Sequence, residues 1–289
     1  MTEYSILVGN DINNIDNDQS WENLLKEIIK YCKVEKIIGE FDNKPFPLLY
    51  EEIFLKSIIQ NHHKESKLKQ FIAENISSMP TNDIHEEITK LKTQNILTTN
   101  YDFTLERHFQ TENQGIISER LYSIFRHYRV DEKKYWHIHG DCRTPMSINL
   151  GFEHYAGQLQ QIRNYLVTGT NYKSKKASKV PFIKRWESNL IDNQSWIDLF
   201  FTTDIYIFGL RLDFVETDLW WILNYRARIK YYKRKNIINK IYYFIPDEYF
   251  KMSKAKIDLF SAIGVEVIRI GKETKREYYI EIINTIGSR

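Results

Sequence analysis

Cysteine is almost missing: Cys32 and Cys142 are the only two in 289 residues. Two thiols build neither a disulfide framework nor a four-thiolate zinc site, and a reducing cytosol suits them. With eleven glycines and six prolines, there is no flexible linker, low-complexity tract or internal repeat. No stretch approaches the about eighteen uninterrupted apolar residues of a membrane-spanning helix, and "MTEYSILVGN" has neither a basic leader nor a cleavage region. The expectation is a soluble, cytoplasmic protein without a membrane partner. A large charge of one sign is lacking as well: 41 Lys and Arg face 38 Asp and Glu, for a net +3. That excess does not indicate nucleic acid. The basic clusters at 173–185 and 226–240 read as solvated surface.

What is present describes a packed core, 42% hydrophobic and 14% aromatic. "YSILV" predicts a buried strand, and after a polar loop Trp21, Leu24, Leu25, Ile28, Ile29 and Cys32 fall on one helix face, with Ser20 placed to cap it. Two or three helices are expected from Tyr50 to Leu91. Next come a strand at "NILTT", a helix from about Phe103, and short strand candidates in "RLYSIFRHY" and "KKYWHIHGD". From Glu153 to Phe201 the pattern is helical around the basic loop "VTGTNYKSKKASK". The closing part alternates strand and helix: "DIYIFGL", "ETDLWWILNYRARIK", "KIYYFIP", "DEYFKMSKAKIDLFSAIG", "VEVIRI" and a last helix. The fold class expected is α/β: a Rossmann-like, doubly wound, mainly parallel sheet with a helical insert subdomain. One domain would span 1–289, with helical insertions at approximately 40–92 and 150–201, the second forming the small subdomain.

Open parallel sheets bind ligands outside the C-terminal ends of their strands. Those ends carry Gly9, Asn10, Asp11 and Asn13; Thr98, Thr99, Asn100 and Asp102; His137, His139, Gly140 and Asp141; and Gly209, Leu210 and Arg211. Each group alone has a plain explanation. "TTNYD" could be a polar turn in which Asp102 caps the next helix, and "GLRL" a turn needing a permissive glycine. His137 and His139 point to one strand face, where either could be a core histidine or both could bind metal. Four such loops in one fold imply a polar cleft.

These motifs, in this order, resemble the sirtuin-like (silent-information-regulator-type) NAD-consuming domains, especially those of bacterial antiphage defence. Thr98 to Asp102 look like the family's Thr-Gln-Asn-Ile-Asp motif with Thr99 in place of Gln. The resemblance implies that Asn100 contacts the nicotinamide ribose or positions a water. His139, immediately before Gly140, inherits the role of catalytic histidine. "IYIFGLRLDFVETDLWWIL" is similar to the Gly-x-Ser-Leu turn, with Arg211 where Ser is usual and Asp218 as the acid that defence-type members place after it. Arg211 could hold a pyrophosphate bidentately or obstruct the ribose. Gly9, Asn10, Asp11, Ile12 and Asn13 depart from the Gly-Ala-Gly-x-Ser loop, and an Asp11 carboxylate would repel a pyrophosphate unless it turns away or meets Arg211.

By the same resemblance the catalytic residues are Asn100 and His139. NAD+ would be held by Gly9, Asn10, Asp11, Asn13, Thr98, Thr99, Asp102, Gly209, Leu210 and Arg211, with no metal. Family deacetylases use a four-cysteine zinc module that two cysteines cannot supply, so NAD+ hydrolysis is the implied activity, as the toxic effector of an antiphage abortive-infection system. Such an enzyme needs restraint, which implies a homo-oligomer or a separately encoded regulatory partner such as a motor ATPase. Two rival readings stand: a non-catalytic NAD-binding sensor or assembly module, and a metal-dependent hydrolase using His137 and His139 with Asp141, Asp204 and Asp213.

Overall fold

The apolar runs pair into one seven-stranded sheet, in a computed structural model that describes residues 3–16, 21–39, 44–191, 193–233 and 235–289. Its strands are β1 (Tyr4–Val8), β2 (Asn95–Thr98), β3 (Tyr128–Val130), β4 (Lys133–His137), β5 (Asp204–Phe208), β6 (Ile241–Pro246) and β7 (Val265–Ile270). Their order is β3-β4-β2-β1-β5-β6-β7, parallel throughout except for β3 against β4. The connections reverse direction between β1 and β5, so the fold is α/β and Rossmann-like, with its topological switch point at the ends of those two strands.

Side-chain alternation builds a core on each face of the sheet. Leu7, Leu97, Trp136, Ile205 and Ile207 pack on one side with α5 (Phe152–Arg163), α7 (Trp196–Thr202) and α8 (Thr217–Ala227). Ile6, Val8, Ile96, Tyr206 and Phe208 face the other side, against α4 (Asp83–Lys90) and α11 (Lys275–Gly287). Each such aliphatic side chain, fully buried, contributes about 1.5–3 kcal/mol. Two layers of them account for the continuous apolar reading of these strands. Tyr165, Phe182 and Trp196, from the 150–201 segment, join the first core directly.

A third cluster joins α1 (Trp21–Tyr31), α2 (Phe46–Asn61) and α3 (Glu65–Ser77) through Leu25, Ile28, Ile53, Leu68 and Ile72, and Tyr101, Ile148 and Leu150 pack into it. These helices therefore sit over the loops that leave β2 and β4. Ser20, the expected cap of α1, lies outside the described residues.

Two local expectations fail for identifiable reasons. The chain after Phe103 makes a turn and no helix. Asp102 Oδ1 accepts from Thr104 N–H at 3.0 Å as a helix cap would, but Arg107 and His108 adopt left-handed φ values of 52° and 57° and end the winding. "RLYSIFRHY" yields no strand before Tyr128, because the buried Glu119 carboxylate gathers the backbone N–H groups of Ile124, Phe125 and Arg126 and so withdraws them from any ladder.

Candidate functional site

At the switch point, backbone meets backbone. Gly9 N–H donates to Phe208 O and Asp11 N–H to Gly209 O, both at 3.0 Å. Gly209 has a φ of 66°, and a Cβ on Gly9 would fall 2.3 Å from its carbonyl oxygen. Only glycine permits that approach. Leu210 and Arg211 follow at the rim, Arg211 exposed and without an ion pair among the described residues.

Asn10 to Asn13 form a single 3-10 turn fixed by Asn13. Its Nδ2 donates to Asn10 Oδ1 at 2.8 Å and to Asp102 Oδ2 at 2.9 Å. His85 Nδ1 accepts from Asn82 N–H, so Nε2 carries the proton and donates to Asn13 Oδ1 at 2.8 Å. Burial pushes His85 down to about 4, which keeps it neutral in this role. Asp11 turns away: its carboxylate accepts from the Tyr279 hydroxyl at 2.5 Å and pairs with Lys275 at 2.8 Å, both on α11, and does not meet Arg211.

In the β2 loop, Thr98 Oγ1 donates to Val8 O at 2.9 Å and accepts from Asn100 N–H at 3.0 Å. Thr99 N–H donates to Val8 O. Asn100 is 2% exposed, and neither its amide oxygen nor its amide nitrogen has a hydrogen-bond partner among the described residues. Asp102 is spent on Asn13 and Thr104 and acts as a brace between two loops.

The two histidines of "HIHGD" separate. His137 Nδ1 donates to Asn100 O at 2.8 Å, and Nε2 meets Glu106 Oε1 at 2.7 Å. Both partners are acceptors, so the ring is an imidazolium in a buried ion pair. Burial works against that charge, but Glu106, through charge and hydrogen bond, outweighs it and raises the pKa to about 9. Neither nitrogen is left for a metal. His139 Nε2 meets Asp218 Oδ2 at 2.8 Å, with Tyr155 edge-on at 5.3 Å. Burial lowers its pKa, yet the Asp218 charge and hydrogen bond, with Glu216 beyond, leave it raised. Gly140 follows at a φ of 93°, where a Cβ would strike Ser147 O.

A cavity of about 170 Å³ opens between these loops and the helices above them, lined by Asn10, Asn100, Tyr101 and Asp102 below and by Asn23 and Glu27 of α1 above. His139 is not in its wall. Tyr101 links the two: it lines the cavity, its hydroxyl donates to Asn149 O, and burial and the charges of Glu216 and Asp218 raise its pKa. Glu216 is half-buried, and desolvation, opposed by His139 and supported by Asp218, lifts it to about 7.

The structure thus gathers Gly9, Asn10, Asn13, Thr98, Thr99, Asn100, Asp102 and Gly209 at one junction, with His139 outside the cavity wall. Asn23, Glu27, His85, Tyr155 and Glu216 escaped the sequence reading. Asn23 and Glu27 stand at i, i+4 beside the apolar face of α1, a spacing that marks a shared helix side.

Residues 94–193 match the family model described as SIR2-like domain. Over that segment the chain is similar to SIR2-like domains. The match takes in β2, Asn100, β4 and His139, whereas the β1 and β5 loops lie outside it. SIR2-like domains bind NAD+ and are commonly NAD-dependent enzymes. No curated protein matches the chain significantly. Among the described residues, no group of three or more His, Cys, Asp or Glu is placed to hold a metal ion, and no helix is long and apolar enough to cross a membrane.

Proposed function

We propose that the SIR2-like domain cleaves the nicotinamide–ribose bond of NAD+ and releases nicotinamide and ADP-ribose. The observation that carries this reading is the Asn100 side chain. A buried amide left unpaired costs about 1–3 kcal/mol, and a ligand that hydrogen-bonds to it recovers that cost. A cavity of about 150 Å³ can hold benzene. The one beside Asn100 therefore accepts a single substituted ring, and the rest of a dinucleotide would lie outside it.

Bond cleavage places positive charge on the ribose as neutral nicotinamide departs, so the site must favour a cation and activate a nucleophile; no strong acid is required. Asn100 orients the ribose or a water without adding charge. His139, once neutral, takes the proton from a ribose hydroxyl or water, worth roughly 10²–10⁴-fold. The turn of Asp11 toward α11 removes the carboxylate that would oppose a pyrophosphate.

By its resemblance to defence domains, we assign the activity to a cytoplasmic antiphage effector, restrained by self-assembly or by a separately encoded partner. A second reading, NAD+ binding without cleavage, draws support from the raised pKa of His139, which disfavours the neutral base. Incubation with NAD+, alone and with candidate partners, followed by quantification of nicotinamide and ADP-ribose, separates the two. Release that His139→Ala abolishes supports cleavage. NAD+-dependent thermal stabilisation without release supports the sensor.

A further inference from the structure

Three features set the His139 ring apart from an ordinary core histidine. First, only Nε2 is hydrogen-bonded; Nδ1 has no partner among the described residues. Second, the Asp218 Oδ2 that holds Nε2 at 2.8 Å belongs to a carboxylate buried as completely as the ring. Third, Asp218 lies in the first turn of α8, where unpaired N–H groups favour negative charge, and its Oδ1 has no other partner in the described residues. A carboxylate only accepts, so Nε2 carries the proton and the lone pair sits on Nδ1.

We propose that Asp218 is a positioning residue for His139: it fixes the tautomer that presents the Nδ1 lone pair, and it stabilises the imidazolium formed when Nδ1 takes a proton. The proposal rests on the NAD+-cleavage reading and adds a residue outside the 94–193 family match. The step balances simply. The proton leaves the ribose hydroxyl or water for Nδ1, the electron pair stays on that oxygen, and the positive charge gained by the ring faces Asp218.

The groups around His139 are few. From the start of α8 come Asp218 and Glu216, and from α5 the edge of Tyr155; Tyr101 of the β2 loop acts on Tyr155, and its own hydroxyl is committed to Asn149 O. Tyr155 is held well above its ordinary value, by burial first, and stays neutral. Among the described residues, Asp218 and Glu216 are the carboxylates whose charge acts on the ring, and Asp218 is the one hydrogen-bonded to it.

The test uses the full chain with Asp218→Asn and Asp218→Glu. The Asn side chain has the same shape but can donate its amide hydrogen to Nε2, moving the ring proton to Nδ1 and burying the lone pair. The expected result for Asp218→Asn is a kcat about 10²–10⁴-fold lower with KM for NAD+ within about twofold, and an acid limb of the pH–rate profile shifted to lower pH. Asp218→Glu should recover part of kcat and keep the limb near its original position. Nitrogen-15 histidine spectra should show the His139 ring proton on Nε2 in the parent and on Nδ1 in the Asn variant. An unchanged kcat, or a loss of rate with neither limb nor tautomer moved, overturns the assignment. If the parent releases no nicotinamide, the cleavage reading falls by itself. The spectra still decide the positioning role, which fails if Asp218→Asn leaves the tautomer and titration of His139 unaltered.

Discussion

Gly209 O lies where a Cβ on Gly9 would have to be, 2.3 Å from the ideal position, with Leu210 Cα at 2.6 Å. Both obstructions are backbone, so no side chain can rotate away. Gly9→Ala must therefore spread the ends of β1 and β5. It should lower stability by about 1–3 kcal/mol, as overpacking does, and weaken NAD+ binding by opening the switch point. Thermal unfolding with and without NAD+ reads both effects, and a variant as stable as the parent would contradict the contact.

Asn100→Ala should part stability from activity. The side chain makes no hydrogen bond among the described residues, so its removal breaks none there. The melting temperature should stay within about 2 °C of the parent. Nicotinamide release should fall at least about 100-fold if the amide serves the substrate. A collapse of stability would mean that the amide has a structural partner.

The His137–Glu106 pair predicts a pH dependence of stability. His137 has its pKa raised to about 9, so its contribution is complete below the ordinary histidine value of about 6.5 and is lost as pH rises through about 9. Denaturant midpoints should decline from pH 7 toward pH 9.5 in the parent and decline less in His137→Gln. His137→Ala, which strands a buried carboxylate, should lose about 3–5 kcal/mol. Equal slopes in parent and Gln variant would count against the ion pair.

Tyr279→Phe removes the hydroxyl that holds Asp11 off the first loop. Only the exposed Lys275 pair then restrains the carboxylate; as it swings toward the pyrophosphate, KM for NAD+ should rise several-fold with kcat little changed. Asp11→Asn in the same background should restore KM, since the charge is what repels. A double variant as weak as Tyr279→Phe alone would point to lost packing.

Much of this architecture was legible beforehand, because runs such as "YSILV", "DIYIF" and "KIYYFIP" join β-branched and aromatic content to a length that suits a strand buried on both faces. The loops at strand ends followed from the topology. What escaped the sequence depends on partners distant along the chain. Glu119 diverts the N–H groups of Ile124 to Arg126 from strand pairing, and nothing in "RLYSIFRHY" announces it. Asp102 satisfies a helix-cap pattern without a helix following. The two readings of His137 part only once Glu106 and Asn100 O are seen on its two nitrogens. Asn23 and Glu27 reach the cavity because α1 to α3 pack over Tyr101 and Ile148, a placement no local pattern contains.

The grip of α11 on the first loop has a thermodynamic consequence. Lys275 holds Asp11 and donates to Asn14 O, Tyr279 holds Asp11, and Arg276 spans Asp16 and Asp83. Exposed ion pairs are individually weak, about 0–1 kcal/mol each, so this clasp can open at modest cost. Linkage is reciprocal: a ligand that favours the closed loop tightens the hold on α11, and a force or binding event that displaces α11 weakens the ligand by the same free energy. A helix more than 250 residues downstream of the loop is in this sense part of its affinity.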